Sequence, residues 1–153
     1  MKEHHITISY NEFDSATTLR AEDKMLLAEA KNALKNAYAP YSDFWVGAAV
    51  LLENGTIVMG NNQENVAFPS GLCAERVALF AAGSIYPGVP VKSVAISAKS
   101  KNFKVKNPVS PCGACRQVMI EYENRHKKNI RIILQGETGK VIVVNSCLDL
   151  LPL

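Results

Sequence analysis

Long apolar runs are missing from this chain, and so are the extremes of composition that mark special classes. No stretch nears the ~18–20 consecutive apolar residues that cross a bilayer, and the opening MKEHHITISY lacks the apolar block of a secretory signal. The expectation is a soluble, cytoplasmic protein with no membrane partner. Aromatics are scarce, 7% with a single Trp, and 17 Lys and Arg against 14 Asp and Glu leave only +3. That balance falls short of a dedicated nucleic-acid binder. Glycine and proline, 9 and 7 of 153 residues, form no low-complexity run, so collagen-like and disordered classes are excluded. What is present is a 48% apolar chain, long enough to bury a core without disulfide staples.

No repeat or linker divides the sequence, which reads as one domain, residues 1–153, with 1–20 as an N-terminal extension. HHITISY has a weak strand period, and NEFDSATT after it is a polar turn. Over 21–37, Met25, Leu26, Ala30, Ala33, Leu34 and Ala37 recur at helical spacing until Pro40 stops the helix. Two apolar runs, 46–52 and 56–60, flank Asn54-Gly55 and predict a hairpin. The loop NNQENVAFPSG precedes a helical CAERVALFAAGS that Gly83 is expected to close. Residues 91–98 read as a buried strand, Pro111 opens a further helix through CGACRQVMIEYENRH, and 130–134 and 141–144 are two more strands. The order α, β, β, α, β, α, β, β implies a mixed sheet with helices on both faces.

Four cysteines, Cys73, Cys112, Cys115 and Cys147, suggest metal or catalysis before disulfides in a chain read as cytoplasmic. Cys73 and Pro111-Cys112-Gly113-Ala114-Cys115 each stand where a helix begins after a loop. Unpaired N–H groups and the helix dipole favour thiolate there. Cys112 and Cys115, three apart on a first turn, can grip one ion, and a third thiolate from Cys73 leaves tetrahedral zinc one open position. The residues alone leave other readings open: a redox pair, a structural zinc site completed by Cys147, or unliganded core thiols. Glu75 favours catalysis, since a carboxylate two residues past a ligand suits a proton carrier between water at the metal and a substrate. By itself it would be an ordinary first-turn glutamate.

C-A-E at 73–75, followed 36 residues after Glu75 by P-C-x-x-C, resembles the zinc deaminase pattern in its three-cysteine variant. The strings PYSDFWVGAAV, NQENVAF, GLCAERVALF and SPCGACRQVM are similar to the small homotetrameric cytidine deaminases, in order from residue 21 to 151. The resemblance implies an α/β fold, a three-layer αβα sandwich around a five-stranded mixed sheet, and hydrolytic deamination of cytidine and deoxycytidine in pyrimidine salvage. It puts Cys73, Cys112 and Cys115 in the Zn²⁺ ligand places and Glu75 in the general acid/base place. Asn62 and Glu64 fall where the ribose is held, Phe44 and the backbone of Ala74 where the base is met, and Arg76 beside the zinc thiolates. Three thiolates and Zn²⁺ sum to minus one, and helix N-termini with Arg76 can withdraw that charge.

Three features depart from the family pattern: Phe68 where tyrosine is frequent, Trp45 where a smaller residue is usual, and LDLLPL where relatives continue to an aromatic that covers a neighbour's base. Polynucleotide editing would use the same zinc chemistry, with Lys99, Lys101, Lys104, Lys106, Arg125, Lys127 and Lys128 as a basic surface. Phe103 is the lone aromatic among them, and a solvated loop explains those lysines, so the expected partner is a pyrimidine nucleoside and no nucleic acid. A relative acting on an aminoacyl-nucleoside antibiotic shares the motif, whereas a non-catalytic zinc module would not need Glu75. The apolar Val66-Ala67-Phe68-Pro69 beside the site either folds back on its own core or meets a neighbouring subunit, as a homotetramer with shared sites would require.

Overall fold

A computed structural model describes residues 1–152 of the chain. Its elements are β1 (Asn11–Phe13), α1 (Ala21–Ala33), β2 (Phe44–Leu52), β3 (Ile57–Asn61), α2 (Ala74–Ile85), β4 (Val91–Ser100), α3 (Gly113–His126), β5 (Arg131–Gln135) and β6 (Val141–Val144), with short 3₁₀ turns between. They form one sheet in the order β1-β6-β5-β4-β2-β3. Only β4 and β5 run parallel; the other neighbours are antiparallel. The expected mixed sheet and three layers are therefore present.

Alternation along the strands divides the core between the two helical layers. Ala48, Val50, Leu52, Ile96, Ile132 and Leu134 pack with Ala78, Leu79 and Met119 of α2 and α3. Ala49, Leu51, Ala95, Ile133 and Val143 point the other way, to Leu26, Leu27 and Ala30 of α1. Gly60 allows α2 to lie directly on β3: a Cβ there would come within 2.4 Å of Ala78 N and 2.6 Å of Ala74 O. That contact sets the height at which α2 begins. Because α2 and α3 cover the same face, their N-termini are brought side by side.

Four expectations are corrected. The sheet has six strands, not five, because the three-residue β1 adds to the edge beside β6. That strand is Asn11–Phe13, inside the stretch read as a polar turn, while residues 1–10 are exposed and outside any strand. At an edge, backbone pairing suffices and the apolar pattern is weak. The first helix ends at Ala33 and tightens into a 3₁₀ turn over Leu34–Asn36, four residues before Pro40. Gly83 does not close α2, which runs on to Ile85. A Cβ at Gly83 would come within 2.4 Å of the Tyr122 hydroxyl, which donates to Leu79 O at 2.7 Å. This glycine makes room for a side chain of α3.

Candidate metal centre and cleft

Two helix starts supply the site. Cys73 is the N-cap of α2 and Cys112 the N-cap of α3, neither capped by a side chain. Cys115 is buried in the first turn of α3. The sulfurs of Cys73 and Cys112 are 3.8 Å apart, those of Cys112 and Cys115 are 3.5 Å apart, and all three lie within 4.8 Å. Zn–S bonds of about 2.3 Å in a tetrahedron separate sulfurs by about 3.8 Å, so the three side chains fit zinc. Among the described residues no other cluster of three or more potential ligands occurs. Cys147 is excluded as a fourth ligand: it is buried in the core under the sheet, and its backbone N–H donates to Glu123 Oε1 at 2.9 Å.

The electrostatics around the sulfurs favour thiolate on α2. A hydrogen bond from Cys115, outweighing burial and helped by Arg76, draws the Cys73 thiol down to about 5. The same hydrogen bond, with burial, pushes Cys115 up. Arg76 Nη2 lies 3.6 Å from Cys73 Sγ, and its Nε is buried without a hydrogen-bond partner among the described residues. The Glu75 carboxyl, 4% exposed, is raised above the usual carboxylate range mainly by burial, with the Cys73 sulfur adding to it.

A cleft of about 640 Å³ adjoins these groups, its lining including Cys73, Glu75, Arg76 and Cys112 together with Asn62, Glu64, Val46 and Ile96. That volume suits a small molecule. Asn62 is tied to β2: its Oδ1 accepts Val46 N–H at 2.8 Å and its Nδ2 donates to Phe44 O at 2.9 Å. Glu64 Oε2 accepts the N–H of Tyr41 at 2.9 Å and of Ser42 at 3.3 Å, and Oε1 accepts the Ser42 hydroxyl. Burial opposes ionisation of Glu64, but these hydrogen bonds together hold it below its ordinary value.

Not every expected residue reaches the cleft wall. The Phe44 ring is not part of the lining and packs 6.4 Å, centroid to centroid, from Phe103. Ala74 is fully buried behind the lining. Trp45 points to the opposite side of β2, into a hollow with Lys31, Leu34, Lys35 and Lys99. Tyr41 and Ser42, not singled out from the sequence, line the cleft because Glu64 holds their turn against it. The loop carrying Val66 and Phe68 is pinned at its base by reciprocal hydrogen bonds of 2.9 Å between Gln63 and Leu72. It does not fold back on the core: Val66 is 85% and Phe68 90% exposed.

Comparisons with known proteins agree with this geometry. The family model for the cytidine and deoxycytidylate deaminase zinc-binding region matches residues 20–130. The chain is 51% identical over 119 residues to the cytidine deaminase of Sporosarcina psychrophila, covering 77% of this chain and 82% of that one. It is 42% identical over 120 residues to that of Halalkalibacterium halodurans, covering 78% and 86%. A crystal structure of cytidine deaminase from Burkholderia pseudomallei superposes with a TM-score of 0.73 at 40% identity, over 84% of this chain and 94% of that one. Sequence, fold and the convergence of three cysteines on two helix starts thus lead to one assignment: the chain belongs to the cytidine and deoxycytidylate deaminase family.

Proposed function

We propose that the protein is a cytidine deaminase that hydrolyses cytidine and deoxycytidine to uridine and deoxyuridine with release of ammonia, in pyrimidine salvage. The observation that carries the reading is a buried carboxylate, Glu75, two residues past one of three converging cysteines beside a nucleoside-sized cleft. Cys73, Cys112 and Cys115 would hold Zn²⁺, which when bound supplies Lewis acidity that makes water a nucleophile near neutral pH.

The remaining chemistry belongs to the chain. Glu75 takes a proton from the attacking water and gives it to N3 of the pyrimidine as a C–O bond forms at C4. It then moves the second water proton to the amino group, the C–N bond breaks, and ammonia leaves behind the C4 carbonyl. One carboxylate serves both transfers because it is a base before the attack and an acid after it. Arg76, against Cys73, offsets the excess negative charge of the thiolates. Ser42, Asn62 and Glu64 on the cleft wall face the sugar, with Glu64 the acceptor for a ribose hydroxyl. Phe44 and the backbone of Ala74 act from just behind the lining, shaping the base end.

The exposed Val66 and Phe68 beside the cleft support a homotetramer in which neighbouring chains complete each site. Support for a small nucleoside over a polynucleotide comes from the proposed basic surface, where Lys101 lies 3.9 Å from Asp43, Lys128 lies 3.1 Å from Glu53, and Phe103 rests on Phe44. Ammonia release from cytidine, deoxycytidine, an aminoacyl-cytosine nucleoside antibiotic and single-stranded DNA tests the reading. Turnover of the first two is expected. Turnover confined to the antibiotic or to DNA would replace it.

A further inference from the structure

Of the three metal-binding cysteines, Cys112 is the exposed one. Burial does not hold it, and the backbone before it is sparsely tied: among the described residues, the carbonyl of Pro111 is the only backbone group of residues 107–111 engaged in a hydrogen bond. Its partner is Arg116, one turn on in α3, whose Nε donates to Pro111 O at 2.8 Å. The same guanidinium donates through Nη1 to Leu150 O at 2.6 Å. One side chain thus spans the peptide that leads into a metal ligand and the carboxy-terminal 3₁₀ turn, Cys147–Leu150.

That turn is anchored independently. Glu123, buried near the far end of α3, accepts the backbone N–H of Ile130 at 2.6 Å and of Cys147 at 2.9 Å on Oε1, and the Ser146 hydroxyl at 3.0 Å on Oε2. Leu150 and Leu151 also pack against the core. The turn is therefore fastened to α3 at both ends, and its Leu150 carbonyl offers Arg116 a fixed acceptor.

We infer that Arg116 is a positioning residue that braces the exposed zinc ligand Cys112 against the carboxy-terminal turn. Its side chain is absent from the cleft lining; its backbone N–H donates to Cys112 O at 3.0 Å as part of the helix start, and the guanidinium acts through the orientation of the Pro111–Cys112 peptide. A guanidinium suits the place because it presents several donors in a rigid plane, enough to hold two carbonyls at once, whereas an ammonium on a flexible stem cannot fix both.

This inference rests on zinc at the three cysteines. The test compares the zinc-loaded parent with Arg116→Ala and Arg116→Lys, measuring zinc transfer to a chromophoric chelator and amide hydrogen exchange over residues 147–151. Removing groups that orient metal ligands typically weakens metal binding about 10- to 100-fold. A rise of that size in zinc release is expected for Arg116→Ala, with a smaller rise for Arg116→Lys and faster exchange in the turn for both. Tyr122→Phe, which removes a different α3 hydrogen bond, should release zinc at the parent rate and serves as the control for general loosening. Parent-like release from Arg116→Ala, faster release without faster exchange in the turn, or equal acceleration in Tyr122→Phe overturns the inference. A parent that binds no zinc overturns the metal site as well, so the two failures are distinguishable.

Discussion

The carboxamide oxygen of Asn62 accepts the backbone N–H of Val46 at 2.8 Å, which makes this residue part of the sheet edge as well as of the cleft wall. Asn62→Ala strands that N–H and the Phe44 carbonyl. A part-buried group left unpaired costs about 1–3 kcal/mol, so the variant should melt earlier and bind cytidine more weakly. Glu64→Ala frees only the exposed turn at Tyr41 and Ser42, so it should weaken nucleoside binding with less loss of stability. Thermal melts with KM for cytidine and for free cytosine separate the two effects. Equal loss on nucleoside and base would remove both residues from the sugar.

Glu75→Gln keeps the shape of the buried side chain and removes its ability to carry protons. Turnover is expected to fall by roughly 10²–10⁴ while zinc content and melting temperature stay near the parent. Near-parent turnover in this variant would rule out the proton-carrier role.

Alanine at Cys73, Cys112 or Cys115 should abolish stoichiometric zinc. Alanine at Cys147, buried against Glu123 and far from the sulfur cluster in its contacts, should keep zinc and cost roughly 0.5–3 kcal/mol of stability. Metal analysis of the four variants decides it; zinc loss in Cys147→Ala would contradict the three-sulfur site.

The parts of the site legible in the sequence are those set by local rules. Cys73, Glu75, Cys112 and Cys115 are readable because a thiol at a helix start and a carboxylate two residues on have defined directions within one turn. Tyr41 and Ser42 are not, because their position depends on a carboxylate more than twenty residues away accepting backbone N–H groups, and no spacing encodes that. The same limit applies to the fold. The α1, α2 and α3 patterns and the hairpin at Asn54-Gly55 follow from periodicity and turn chemistry, but β1 is made by register with β6 and carries little pattern of its own. Gly83 reads as a terminator in the sequence because its reason, the Tyr122 hydroxyl, lies on another helix. The bracing of Cys112 by Arg116 was equally invisible, since its second partner is a backbone carbonyl 34 residues away.

Phe68 is 90% exposed on a loop closed by the Gln63–Leu72 pair, an apolar ring presented to solvent at the margin of the cleft. Phe68→Asp should therefore weaken assembly and lower activity together, while leaving the melting of the single chain nearly unchanged. Light scattering paired with turnover checks this. A 16.7 kDa species with full activity in the parent would remove the shared-site reading.

Asp23 is a buried carboxylate whose ionisation should contribute to stability in acid. It is 1% exposed and sits between two guanidinium groups, with Arg20 Nη2 and Arg131 Nη2 each 2.9 Å from a carboxylate oxygen. Burial alone would raise its pKa, but the hydrogen bonds and charges of the two arginines outweigh it and hold the carboxyl below its ordinary value. A carboxyl depressed in the folded state stabilises fully above its unfolded pKa of about 3.9 and loses that contribution as the pH falls through the folded value. Stability should thus be flat in this respect at neutral pH and decline below about pH 4. Asp23→Asn removes the charge that both arginines were placed to meet. With Arg20 54% and Arg131 21% exposed, the stranded guanidinium groups can be rehydrated, so the variant should lose roughly 1–3 kcal/mol at pH 7 and show a shallower decline in acid. Denaturant melts of parent and variant from pH 7 to pH 3 provide the check; parallel pH profiles would mean that another carboxylate controls acid unfolding.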